Sequence, residues 1–233
     1  MMASCAPSAV SRSRLSAVVD LAAVIVVFAA GSLSVPFVNP ILRHGHSLFI
    51  AFVGAAYQFS VEGLAPLTIM ALRRERFAAF GFIRRNLGES LALGIAFAIL
   101  YDLVLSWRAG AVLWIPLRRQ PAVRMSLAAG FPLCLTGLAV TVLTWGLLEG
   151  FFGVYFSRKV NLALGHSGYG WFAPGALAFA LFNGGIHLIV GQGLQGFLSS
   201  FASGYAIAVV PAITGNAWDS ALVQTLTNAV GGL

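Results

Sequence analysis

Charge is scarce in this chain. Only 9% of its 233 residues are Asp, Glu, Lys or Arg, against about 25% in an ordinary soluble domain. A soluble globule of this size could not clothe its surface, which excludes a soluble dinucleotide-binding enzyme and a charge-rich disordered tail protein. Acid is scarcer than base, with 7 Asp and Glu against 14 Lys and Arg. Cysteine is nearly missing: Cys5 and Cys134 are too few for the disulfide framework of a secreted scaffold. Cys134 lies inside an apolar run and reads as a small packed hydrophobe. No long-period repeat and no low-complexity stretch interrupts the pattern.

What fills the space is hydrocarbon. Hydrophobic residues make up 59% of the chain, and the mean hydropathy is +0.89. Long apolar runs predict an all-α, polytopic transmembrane bundle of about seven spans, each of about 20 residues. The domain reading is a short N-terminal tail, 1–14, and one membrane-embedded domain, 15–233. The predicted spans cover about Leu15–Val38, Ser47–Leu72, Glu89–Trp107, Leu127–Phe156, Trp171–Val190, Leu194–Ala212 and Ala217–Leu233. The first run exceeds the 7–15 residues of a signal-peptide core, so a retained helix is expected over a cleaved leader. Asn39-Pro40, Arg73-Arg74 and Thr214-Gly215-Asn216 read as breaks.

The formal charge of +7 sits between the apolar runs and not along one polar face. That pattern fits loop charge and lipid-headgroup contact, not nucleic-acid binding. Arg73, Arg74, Arg76, Arg84 and Arg85 crowd the loop after the second span. The positive-inside rule assigns that loop, the N-terminus with Arg12 and Arg14, and Arg158-Lys159 to the cytoplasmic side. Arg108, Arg118, Arg119 and Arg124 then fall on the opposite side, so 109–121 is expected to be interfacial, re-entrant, or the sign of a miscounted span.

An ionisable group inside lipid is expensive and therefore a functional candidate. Asp20, Glu62, Asp102, Glu149, His187 and Asp219 qualify. For Asp20, Glu62, Asp102 and Asp219, a helix-to-helix hydrogen bond or an interfacial position is the plainer expectation. Glu149 stands between Gly146 and Gly150, a G-x-x-x-G spacing that lets another helix approach closely. His187 follows Asn183 by one turn, and Gln224 precedes Asn228 by one turn, so each pair shares a helix face. An acid, an imidazole and several amides could thus converge to hold a water or a metal. Gly191, Gly193 and Gly196 spell G-x-G-x-x-G, but no strand precedes them, so they read as helix packing.

These residues carry a resemblance. From about Ala65 to Leu233 the chain resembles the CPBP intramembrane proteases, the CAAX protease and bacteriocin-processing (Abi) family. The likeness opens with ALRRERFAAFGFIRRNLGESLALGIAFAI and continues through three motif regions in order. The family's EExxxR reads here Glu149-Gly150-Phe151-Phe152-Gly153-Val154, keeping the first acid only. Its FxxxH keeps His187, with Asn183 at the first position, and its HxxxN reads Gln224-Thr225-Leu226-Thr227-Asn228.

The resemblance implies an intramembrane endopeptidase acting on a hydrophobic or lipidated peptide. Glu149 would be the general base on a water, His187 a metal ligand or oxyanion donor, and Asn228 an oxyanion donor. His187, Gln224 and Asn228 would be the metal positions for zinc or another divalent ion, although an amide cannot match imidazole as a zinc ligand. Three motif losses, at 150, 154 and 224, equally imply a catalytically inactive membrane subunit that binds a partner in a larger complex. A third expectation is a small transporter with Glu62, Asp102 and Glu149 as a proton path. Membrane lipids are the expected surroundings, in the cytoplasmic membrane of a prokaryote. Counting 1.5 Å per residue from the span ends leaves Glu149, His187 and Asn228 at depths that differ by roughly 10 Å.

Overall fold

The computed structural model describes residues 8–35, 37–38, 40, 48–110, 121–166 and 170–228, with the side chains at 8–12, 109, 121–124 and 228 outside the described set. All described elements are helical. They are α1 (Ser8–Leu33), α2 (Leu48–Leu72), a 3₁₀ turn (Phe77–Phe80), α3 (Leu87–Ala109), α4 (Pro121–Ala128), α5 (Leu133–Leu164), α6 (Pro174–His187), α7 (Gly193–Thr214) and α8 (Trp218–Asn228). Two carry π-helical turns inside them: Phe59–Gly63 in α2 and Val142–Leu148 in α5.

Five stretches are long and apolar enough to cross a membrane: Ser13–Leu33, Leu48–Leu72, Leu87–Arg108, Leu133–Leu164 and Pro174–Thr214. The last has 41 residues, or about 60 Å of helix, twice the hydrocarbon thickness of about 30 Å. It does not run straight. Gly191 (φ 85°) and Gly193 (φ 66°) leave the right-handed region, where a side chain would be strained. The chain reverses there, and α6 and α7 form an antiparallel hairpin. Asn183 Nδ2 donates to Ser200 O at 2.8 Å, Tyr205 Oη donates to Trp171 O, and Gly184 packs on Phe197. The glycines read as helix packing are therefore turn glycines first.

The seven-span expectation is met only in part. The predicted fourth span, from Leu127, is in fact split: α4 ends at Ala128, and α5 begins at Leu133 and runs to Leu164. Gly130 at φ 72° and Pro132, which lacks an N–H, break the helix between them. The predicted seventh span appears as α8, 11 residues long, about 16 Å by the helical rise; 229–233 lie outside the described residues. α1 begins at Ser8, inside the stretch read as a tail.

Small residues set the packing, since lipid offers no hydrophobic drive between helices. α1 runs antiparallel to both α5 and α2. Phe28 stacks on Phe152 with centroids 5.6 Å apart, and Tyr57 Oη donates to Gly31 O at 2.7 Å. α6 lies against α5 where Gly175 meets Ser157 and where Gly175 N donates to Asn161 Oδ1 at 2.8 Å. A ring cluster of Phe28, Phe152, Phe156, Phe179 and Phe182 fills the space among α1, α5 and α6. α8 wedges between α3 and α5, and Gly94, Gly146 and Gly150 are its contact points.

Arg73 and Lys159 gather with the arginine-rich loop at one end, while Arg108 stands at the far end of α3. Asp20, 2% exposed, pairs with Arg73 at 2.6 Å and with Lys159 at 2.9 Å. Lys159, also 2% exposed, reaches Glu75 at 2.7 Å. The hydrogen bond from Arg73 to Asp20 holds the guanidinium above its ordinary pKa. Asn216 Nδ2 donates to Ile83 O and Arg85 O, which ties the start of α8 to the arginine-rich loop.

Candidate functional site

A polar cluster forms where the π turns of α2 and α5 meet. A π turn carries one more residue than the α ladder allows and rotates everything after it. Glu62 sits in the turn of α2, and Glu149 follows directly on the turn of α5. The turns press together: a Cβ on Gly63 would stand 2.7 Å from Leu148 Cδ1. On the other side of α5, a Cβ on Gly146 would stand 2.0 Å from Thr225 Oγ1, and one on Gly150 would stand 2.7 Å from the Ser220 carbonyl carbon. The G-x-x-x-G pair does admit a second helix, and that helix is α8.

Close approach brings two amides onto one carboxylate. Gln58 Nε2 donates to Glu149 Oε1 at 2.6 Å, and Gln224 Nε2 donates to Glu149 Oε2. Gln58, one turn before Glu62, also hydrogen-bonds the Glu62 carboxyl. Two atoms remain buried without a hydrogen-bond partner: Glu62 Oε2 and Gln224 Oε1. Because a carboxylate can only accept, the amide nitrogens must face Glu149 and the amide oxygen of Gln224 must turn away. Both unsatisfied atoms are therefore acceptors.

The expected site residues have different partners. Glu149 and Gln224, the first and third motif positions, are in contact. His187 ends α6, and its Nδ1 lies 2.8 Å from Gln192 Oε1 in the hairpin turn. Asn183 ties α6 to α7 through Ser200 O. The side chain of Asn228 lies outside the described residues. Asp20 is held by its ion pairs, and Asp219 Oδ1 accepts from Ser90 Oγ at 2.9 Å. Asp102 Oδ1 is buried without a partner on α3.

Comparison with protein-family models, with curated proteins and with solved structures gave no match.

Gln58 is the residue that motif reading misses. Its signal is present all the same: Gln58 and Glu62 stand four apart in an apolar run, the spacing that drew attention to Asn183–His187 and Gln224–Asn228. Among the described residues no three His, Cys, Asp or Glu side chains converge on a metal position. The oxygens left open in the cluster, Glu62 Oε2 and Gln224 Oε1, are hard ligands, suited to hard cations more than to zinc.

Proposed function

We propose that this chain is an integral membrane protein that binds positive charge at the Glu62–Glu149 centre, and that its scaffold, CPBP-like in the order of its motif positions, serves binding in place of peptide hydrolysis. One observation carries the reading: the cluster's buried, unsatisfied atoms, Glu62 Oε2 and Gln224 Oε1, are both acceptors. An acceptor held out of water costs free energy until a proton, a cation or a donor meets it. Two carboxylates that share Gln58 compete for the same relief. Position 150 supports the same reading. The second acid of the family motif would collide there with the backbone of α8. Val154, in place of the arginine, is packed in the core at 5% exposure. In this reading the arginine-rich end faces the cytoplasm of a prokaryotic cell and membrane lipid surrounds the rest.

A hydrolytic reading has one observation in its favour, the contact between Glu149 and Gln224. It would make Glu149 the base for a water attacking a lipidated or hydrophobic peptide. It then needs a donor at the position of the carbonyl oxygen, whereas the two amides are turned on Glu149 and His187 on Gln192.

Two measurements separate the readings. Melting of the purified protein in a neutral detergent is followed against pH and sodium concentration, for wild type and for the Glu62→Gln/Glu149→Gln double variant. A dependence present in wild type and flattened in the variant supports charge binding; identical curves refute it. Release of product from a lipidated peptide by wild type, abolished by Glu149→Gln, would establish the hydrolase instead.

A further inference from the structure

We propose that a cavity at the arginine-rich end of the bundle takes the phosphate group of an anionic lipid headgroup. The cavity encloses about 260 Å³ between the end of α5, the end of α7 and the 3₁₀ turn. Two helix C-termini border it, and bare carbonyls there would favour a cation. The turns occupy several of those carbonyls. Leu162 O accepts from Gly165 N, Asn161 O from His166 N, Ala212 O from Gly170 N and Pro211 O from Gly215 N, at 2.9–3.1 Å. The wall also carries side-chain N–H groups.

Arg158 is exposed, with its guanidinium carbon 5.8 Å from the centroid of Phe80, which forms the cavity wall. Asn161 is 7% exposed; its Oδ1 is taken by Gly175 N, so its amide N–H₂ is the group left for a ligand. His166 lines the same wall. The lining residues include no Asp and no Glu. An arginine fork, an amide and an imidazole around a small cavity match phosphate oxygens. Phe80, Val154, Leu162 and Pro211 supply an apolar part of the wall, which suits the glycerol end of a lipid. Exposed Arg74, Arg76, Arg84 and Arg85 stand on the adjoining loop and raise the local concentration of anionic headgroups.

The test uses the full chain in a neutral detergent, titrated separately with phosphatidylglycerol, phosphatidylcholine and inorganic phosphate, with the melting temperature as readout. Arg158→Gln and His166→Gln probe the cavity. Arg84→Gln removes the same charge outside it. The expected result is a saturable upward shift with phosphatidylglycerol for wild type and for Arg84→Gln. Half-saturation should move at least about tenfold for Arg158→Gln, about 1.4 kcal/mol, and less for His166→Gln. Phosphatidylcholine should give no shift. If inorganic phosphate gives the same Arg158-dependent shift and phosphatidylglycerol adds nothing, the phosphate site stands and a soluble phosphate is its source. If Arg158→Gln and Arg84→Gln weaken the response equally, or phosphatidylcholine acts as phosphatidylglycerol does, the proposal falls.

Discussion

Two of the clusters of ionisable groups in the bundle are treated in opposite ways. At the arginine-rich end, Asp20, Lys159, Arg73 and Glu75 form a chain of alternating sign with contacts of 2.6–2.9 Å. Half a helix deeper, Glu62 and Glu149 are met by the amides of Gln58 and Gln224. The first group answers each charge with its opposite and joins α1, α2 and α5. The second answers charge with dipoles; both leave acceptors over, Glu75 Oε2 in the first and Glu62 Oε2 and Gln224 Oε1 in the second. Removing one member of a compensated network strands its partner, whereas neutralising a member of an uncompensated pair relieves it. Substitutions at the two sites should therefore differ in sign, and that contrast can be broken by experiment.

The largest effect belongs to Lys159→Met. It leaves Asp20 with Arg73 alone and strands Glu75, and breaking a buried pair in this way costs about 3–5 kcal/mol. The expected outcome is a large fall in melting temperature or loss of folded protein in detergent. A variant as stable as wild type would show the network to be incidental. Gly150→Ala comes next. A Cβ there stands 2.7 Å from backbone of α8, so the helix must move, at a cost of roughly 1–3 kcal/mol. Gly150→Glu, which writes the family's second acid back into the motif, should be worse still. Recovery of stability or of peptidase activity in that variant would refute the packing argument.

How much of this was legible beforehand follows from which physical signals are local. Hydropathy located α2, α3 and the two arms of the α6–α7 hairpin to within a few residues, because apolar run length is a local property. The split at Gly130–Pro132 escaped because the residues beside it stay apolar. The Gly146–Gly150 seam was legible from spacing; that α8 fills it was not. Across the π turns, facing directions are not legible from spacing. Reading i, i+4 pairs assumes 3.6 residues per turn, and the π turns in α2 and α5 add a residue each. Glu149 therefore points where an unbroken helix would not aim it. His187 sits beside a hairpin turn whose geometry Gly191 and Gly193 decide.

The contrast sharpens with paired neutral substitutions. Asp20→Asn weakens the hydrogen bonds of Arg73 and of buried Lys159 and should cost about 1–3 kcal/mol. Glu62→Gln has nearly the same shape and removes the like charge beside Glu149. It should leave stability unchanged or raise it by up to about 1 kcal/mol, measured by melting at neutral pH. A Glu62→Gln variant as damaged as Asp20→Asn would mean that the second cluster is also a compensated structural network, and the charge-binding reading would lose its footing.

The smallest effect is expected at Arg73, and it measures how far compensation extends toward water. Its side chain is 37% exposed, while that of its partner Asp20 is 2% exposed. Lys159 covers Asp20 from the buried side, so Arg73→Gln still leaves the carboxylate with a cation. Exposed pairs contribute about 0.2–1 kcal/mol and are screened by salt. Arg73→Gln should thus shift melting slightly at low ionic strength and less as salt rises. The same substitution in a Lys159→Met background should cost more than it does alone, because Asp20 then has no cation left. A double-mutant cycle reads that difference directly. Additive losses would mean that the two cations act on Asp20 independently, and that the alternating chain of charges is a row of separate contacts.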